Sequence, residues 1–197
     1  MKKINSLLAA LLLSTVGAAH ADVINFNTAS TAFWISSYET NGFHFQTISD
    51  GMATMADAPT YWNGNGTPHL LTWTNVTSFS GVSMTKAGEQ FSLNSFDYGN
   101  GYTAGNSSPT GFEVTGTTAT GSVVALIDYS TTGIFTYNFG AGWDHLTAVE
   151  FKALGGGNRA IFDNIVVNEQ RSDVPEPGSL ALVGLGVAAL SRLRRRK

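Results

Sequence analysis

The sequence predicts an all-β protein in which two sheets pack as a sandwich, and three observations lead there. Between residues 22 and 173 apolar residues recur with a period of two, the spacing of a strand that buries one face. About ten such runs, five to eight residues long, are divided by clusters of Gly, Asn, Ser and Asp such as Asn63-Gly64-Asn65-Gly66 and Gly155-Gly156-Gly157-Asn158. No stretch of this region keeps apolar residues at helical spacing over three turns. Many short strands without helices leave a two-sheet β-sandwich as the way to bury the apolar faces.

Taken in order, the strands begin with Val23-Ile24-Asn25-Phe26-Asn27 and Gly42-Phe43-His44-Phe45-Gln46, where side-chain character alternates. Leu70-Leu71-Thr72-Trp73-Thr74-Asn75-Val76 follows, and the threonines either side of Trp73 predict that its indole fills the core. Next come residues 80–85, 91–98, 111–115, 122–129, 134–139, 146–153 and 160–167, rich in Val, Ile, Thr and Phe. No internal repeat is visible, so residues 22–172 read as one domain, long enough to bury its own core.

Composition narrows the function. Charged residues make up 13% of the chain, about half the usual share, and the net charge of −3 hides a segregation. Lys2, Lys3, Arg192, Arg194, Arg195, Arg196 and Lys197 lie at the extreme ends. Between residues 22 and 173 only Lys86, Lys152, Arg159 and Arg171 oppose 13 acids, a balance of −9 that argues against a nucleic-acid partner. An apolar share of 43% is too high for a disordered chain. The absence of Cys excludes disulfide scaffolds, thiol catalysis and Cys-based metal centres.

The ends read as processing segments. Met1-Lys2-Lys3, an apolar run over residues 4–16 and Ala19-His20-Ala21 make a signal peptide over residues 1–21, with the mature chain starting at Asp22. At the other end, residues 173–197 divide into Val174-Pro175-Glu176-Pro177, an apolar helix over 179–191 and the basic cluster 192–197. An apolar helix followed by Arg192, Arg194, Arg195, Arg196 and Lys197 is a membrane stop-transfer pattern with its positive end in the cytoplasm. Thirteen residues span only ~20 Å at ~1.5 Å each, short of a ~30 Å hydrocarbon core, which suits a temporary anchor. Gly184-Leu185-Gly186-Val187-Ala188-Ala189 matches a dinucleotide fingerprint by spacing alone; the βαβ unit and downstream acid it needs are missing, so nucleotide binding is rejected.

The order motif, helix and basic cluster resembles the PEP-CTERM sorting signal of Gram-negative bacteria. That resemblance implies an exosortase as processing partner beside signal peptidase, a transient hold in the inner membrane, and transfer to the cell surface or an exopolysaccharide matrix.

A second resemblance lies in the last strands. Trp143-Asp144-His145-Leu146-Thr147-Ala148-Val149-Glu150-Phe151 and Phe162-Asp163-Asn164-Ile165-Val166-Val167 are similar to the closing strands of galactose-binding-like jelly rolls found among carbohydrate-binding modules. On a regular strand Ile161, Asp163, Ile165 and Val167 share one face and Phe162, Asn164 and Val166 the other, so Asp163 has apolar neighbours and must be paired or metal-bound. The resemblance implies a structural calcium on Asp163, with Asp22, Asn25 and Asn27 as further oxygen donors. The alternative is a carboxylate that accepts backbone N–H bonds in a tight corner.

For ligand binding, Trp34, Tyr61, Trp62, Trp73 and Trp143 offer ring surfaces for sugars, and the Tyr61-Trp62 pair beside a Gly/Asn loop is the leading carbohydrate-binding candidate. Catalytic signatures are thin. His44, His69 and His145 lack zinc-site spacing, no G-x-S-x-G elbow occurs, and nothing singles out two acids among Asp97, Glu113, Asp128 and Glu150. The expectation is therefore a non-enzyme: an exported structural or adhesive component. A carbohydrate-binding module with a structural calcium is the alternative, and a secreted hydrolase ranks last.

Overall fold

The computed structural model describes residues 21–55, 64, 66–74, 79–101, 108–129, 133–155 and 159–168. Residues 1–20, Tyr61, Trp62 and the whole tail from Val174 to Lys197 lie outside the described residues. In chain order the strands are β1 (Asp22–Ile24), β2 (Ala32–Ile35), β3 (Ser37–Thr40), β4 (Phe43–Thr47), β5 (Gly51–Met55), β6 (His69–Trp73) and β7 (Phe79–Lys86). They continue with β8 (Leu93–Asn100), β9 (Gly111–Thr118), β10 (Gly121–Asp128), β11 (Ile134–Asn138), β12 (Leu146–Leu154) and β13 (Arg159–Val167). No helix occurs among the described residues.

The architecture is the expected two-sheet sandwich. One sheet has seven strands, ordered β11-β8-β13-β6-β5-β2 with β1 also paired to β13; the other has six, ordered β10-β9-β12-β7-β4-β3. All pairings are antiparallel. All ten runs read from the sequence form strands, and β2, β3 and β5 are additional. β2 and β3 are separated by Ser36 alone yet belong to different sheets, so the chain changes layers within one residue. β5 (Gly-Met-Ala-Thr-Met) is buried on both faces and shows no alternation.

The core between the sheets is aromatic. Phe26, Phe43, Phe45, Phe96, Phe112, Phe151 and Phe162 are fully buried, each stabilising the fold by roughly 1.5–3 kcal/mol. Phe96 is the hub, with ring centroids 5.1 Å from Phe151, 5.6 Å from Phe139 and 6.3 Å from Phe162. Tyr129 closes one end of this core. Its hydroxyl donates to the Gly133 carbonyl (2.8 Å) and accepts the amides of Asn100 (2.9 Å) and Gly133 (3.1 Å), tying β8 to the start of β11.

A second apolar cluster lies on the other face of the seven-stranded sheet: Ala53, Met55, Leu71, Trp73 and Ile161, with Ile134 packed against them. Trp73 is buried as its threonine neighbours predict, but in this outer cluster. The side chain that points between the sheets is Thr72, whose hydroxyl donates to the Ser80 hydroxyl at 3.1 Å. Alternation reveals a two-faced strand without saying which face meets the other sheet.

Candidate binding face on the seven-stranded sheet

Strand register arranges the outer face of the seven-stranded sheet in three rows. The first is polar: Thr136 opposes Asp97, Asp97 opposes Asp163, and on the far side of β6 His69 opposes Met55. The second is apolar, running Ile134, Gly99, Ile161, Leu71 and Ala53 across five strands. The third runs Arg159, Trp73 and Gly51 toward the edge strand β2.

The polar row is organised by a bulge. Asp163 pairs with Asp97, but the next register pair is Val166 with Ser95, so β13 carries one residue more than β8 there. The extra residue is Asn164, in the left-handed region at φ 45°. Its Nδ2 donates to Asp97 Oδ2 (2.8 Å), and the Thr136 hydroxyl donates to Asp97 Oδ1. Asp163 is fully buried, and its Oδ2 accepts the Thr67 hydroxyl at 2.8 Å.

The bulge corrects the facial assignment made from sequence. Phe162, Ile165 and Val167 all belong to the core between the sheets, whereas Ile161 belongs to the outer cluster. Asp163 thus shares a face with Ile161 but not with Ile165 or Val167, because the extra residue at Asn164 shifts the alternation by one.

His69 completes the polar row. It is fully buried, with Nδ1 3.0 Å from the Thr67 carbonyl, so Nδ1 carries the proton. Nε2 has no hydrogen-bond partner among the described residues. Burial, the largest influence, lowers the imidazole pKa below its ordinary value, against the Thr67 carbonyl and the Asp163 charge, which both favour the cation. The ring is therefore neutral at pH 7.

The suggested calcium ligands are not all brought together. Asp22 is exposed and pairs with Val167, four residues from Asp163 along β13, or ~13 Å at ~3.3 Å per residue. That is far beyond a shared coordination sphere with metal–oxygen bonds of ~2.4 Å. Asn25 follows Ile24, which pairs with Ile165, and so lies nearer the bulge; its Oδ1 accepts the Asn27 amide at 3.4 Å. No group of three or more His, Asp or Glu side chains with metal-binding geometry occurs among the described residues.

Trp34 was one ring among several in the sequence, and the structure sets it apart. Trp73 and Trp143 are buried, whereas Trp34 is 71% exposed. It lies on β2, where Ala32 pairs with Thr54 and Ile35 with Met52, a bulge with one extra residue on the edge strand. Its φ is 60°. The indole meets Trp73 edge to face, with centroids 4.8 Å apart and planes at 88°.

The outer face of the six-stranded sheet carries charged side chains beside exposed Val124 and Leu126. Lys152 bridges Glu150 (2.9 Å) and Glu113 (3.5 Å) on this face, and the hydrogen bond it donates to Glu150 is the main reason its pKa is raised. Glu113 and Glu150 are thus held by a shared lysine. Asp97, another acid considered for hydrolysis, is engaged by Thr136 and Asn164 on the opposite sheet, and Asp128 ends the edge strand β10. Of the histidines, His44 pairs with Glu39 at 3.3 Å on the surface.

Comparison with known proteins adds two findings. Residues 173–197 match the PEP-CTERM protein-sorting motif. The sandwich resembles family 29 carbohydrate-binding modules. One such module covers 82% of this chain and 98% of its own at 16% identity, with a TM-score of 0.47. A variant complexed with mannohexaose covers 81% and 99% at 17% identity and a TM-score of 0.49, and one with cellulohexaose covers 80% and 97% at 16% and 0.41. No curated protein matches the sequence.

Proposed function

We propose that the chain is an exported, non-catalytic protein, delivered by an exosortase-type system to the cell surface or extracellular matrix and acting there as a structural or adhesive component. The observation that carries this reading is the sorting motif at residues 173–197, behind an acidic β-sandwich. Of the acids considered for hydrolysis, Glu113 and Glu150 sit on one shared lysine, which supports a non-catalytic role. Deletion of residues 174–197 tests the reading. Cell fractionation should show the truncated protein lost from the surface, and unchanged surface delivery would overturn it.

A second reading, glycan binding by the sandwich, is favoured by one observation, the exposed indole of Trp34. Tyr61 and Trp62 remain candidates on sequence grounds. For calcium the supporting geometry narrows to Asp163 with Asn25 beside the bulge. A bound ion would raise the unfolding midpoint, so EDTA should lower it; coincident transitions with and without EDTA would assign Asp163 to its Thr67 hydrogen bond instead.

A further inference from the structure

We infer that Trp34 is the platform of a binding site for a neutral hexose polymer at the β2 edge of the seven-stranded sheet. The inference deepens the glycan-binding reading and rests on it. A bulky residue at positive φ is a conformational outlier, and such strain persists only where the surroundings impose it, most often at binding sites. At Trp34 that strain coincides with the bulge, and 71% of the residue lies in solvent.

The ring is also held in place. Trp73 packs against it edge to face, and Trp73 can lie there because its register partner is Gly51; a Cβ at position 51 would overlap the Trp73 indole. A ring fixed in advance loses little freedom on binding, which suits stacking against the C–H face of a pyranose. Hydrogen-bonding groups lie near it along the chain. Ser30, Thr31 and Ser36 are exposed on the same stretch of chain, and exposed Asp50 precedes Gly51 and accepts the Thr74 hydroxyl at 2.9 Å.

Two arguments select the ligand. The body carries −9, so a polyanionic polysaccharide is repelled. A protein partner needs roughly 800 Å² on each side, and a four-residue, bulged edge strand offers neither that area nor a regular ladder to extend. One exposed indole face fits one sugar ring.

The test uses isothermal titration calorimetry on the full chain in a detergent without sugar headgroups, with mannohexaose, cellohexaose and polygalacturonate as probes. The wild type should bind at least one neutral hexaose and prefer it to polygalacturonate. Trp34→Ala and Trp34→Gly should weaken that binding at least about tenfold while the unfolding midpoint holds, or rises for Trp34→Gly, which accepts the backbone angle. Trp34→Phe should retain part of the affinity. Neutral-glycan binding that survives Trp34→Ala unchanged would overturn the site and leave the glycan-binding reading standing. A preference for polygalacturonate would overturn the neutral ligand and leave glycan binding standing, and failure of the wild type to bind any of the three probes would overturn both. Surface sorting is untouched by any of these outcomes.

Discussion

Gly51 and Trp73 face each other across β5 and β6, and the Trp73 indole occupies the space that a side chain at position 51 would need. The glycine is there for volume; its backbone is not in the left-handed region. Gly51→Ala should therefore destabilise the fold by about 1–3 kcal/mol, the usual cost of overpacking. Gly121→Ala is the control, since a Cβ there meets nothing and the backbone is ordinary strand; it should be neutral or stabilising by about 0.4–1 kcal/mol. Urea denaturation of the two variants reads the difference.

Asn164 supplies both a left-handed backbone and a side-chain bond to Asp97. Asn164→Gly removes only the bond, whereas Asn164→Ala removes the bond and adds the strain of a Cβ at positive φ. The alanine variant should be less stable than the glycine variant by about 1 kcal/mol. Equal midpoints would mean that the bulge relaxes when Asn164 is lost.

Stability should fall on acidification because of His69. Its pKa is lowered in the folded state, so the unfolded chain binds the proton more readily and gains on the native state as pH drops below about 6.5. Above that pH the contribution of the neutral ring is fully present. Asp163 and Thr67 face the imidazole on its polar side, and Met55 opposes it in register. Denaturation midpoints measured in EDTA from pH 8 to pH 5 should decline for the wild type, with a shallower decline for His69→Gln.

Tyr129→Phe keeps the ring packing against Phe112 and Phe135 but removes three hydrogen bonds. The amide of Asn100 is buried and loses its phenol partner. A loss of about 2–3 kcal/mol is expected, with an unchanged dependence on denaturant, because the fold itself is retained.

The sandwich was legible in the sequence wherever a strand had one wet face. Phe43 and Phe45 alternate with His44 and Gln46, and that pair pattern is the pleat itself. β5 was hidden because both of its faces are buried and its Ala, Thr and Gly carry little periodic contrast. β2 and β3 were hidden because the chain changes sheets at Ser36 and a bulge breaks the count at Trp34. The facial assignment of Asp163 failed for the same reason, since period two holds only until a residue is inserted. Asn after Asp inside an apolar strand is a local sign of that insertion, because Asn tolerates the left-handed region. Asp97 and Thr136 joined the candidate site only through pairing across strands distant in sequence, and Thr67 through its hydrogen bond to Asp163, which composition and spacing do not encode.

The position of β13 has a mechanical consequence. The strand nearest the tail in sequence is an interior strand, laced to β8 along one side and to β6 and β1 along the other. A pull transmitted from the tail along this strand loads both flanking ladders in shear, many hydrogen bonds at once, instead of peeling them one by one. A tether that ended on β2 or β10 would instead act on a strand with only one neighbour. Force applied along the axis of β13 would therefore meet two ladders of hydrogen bonds at once.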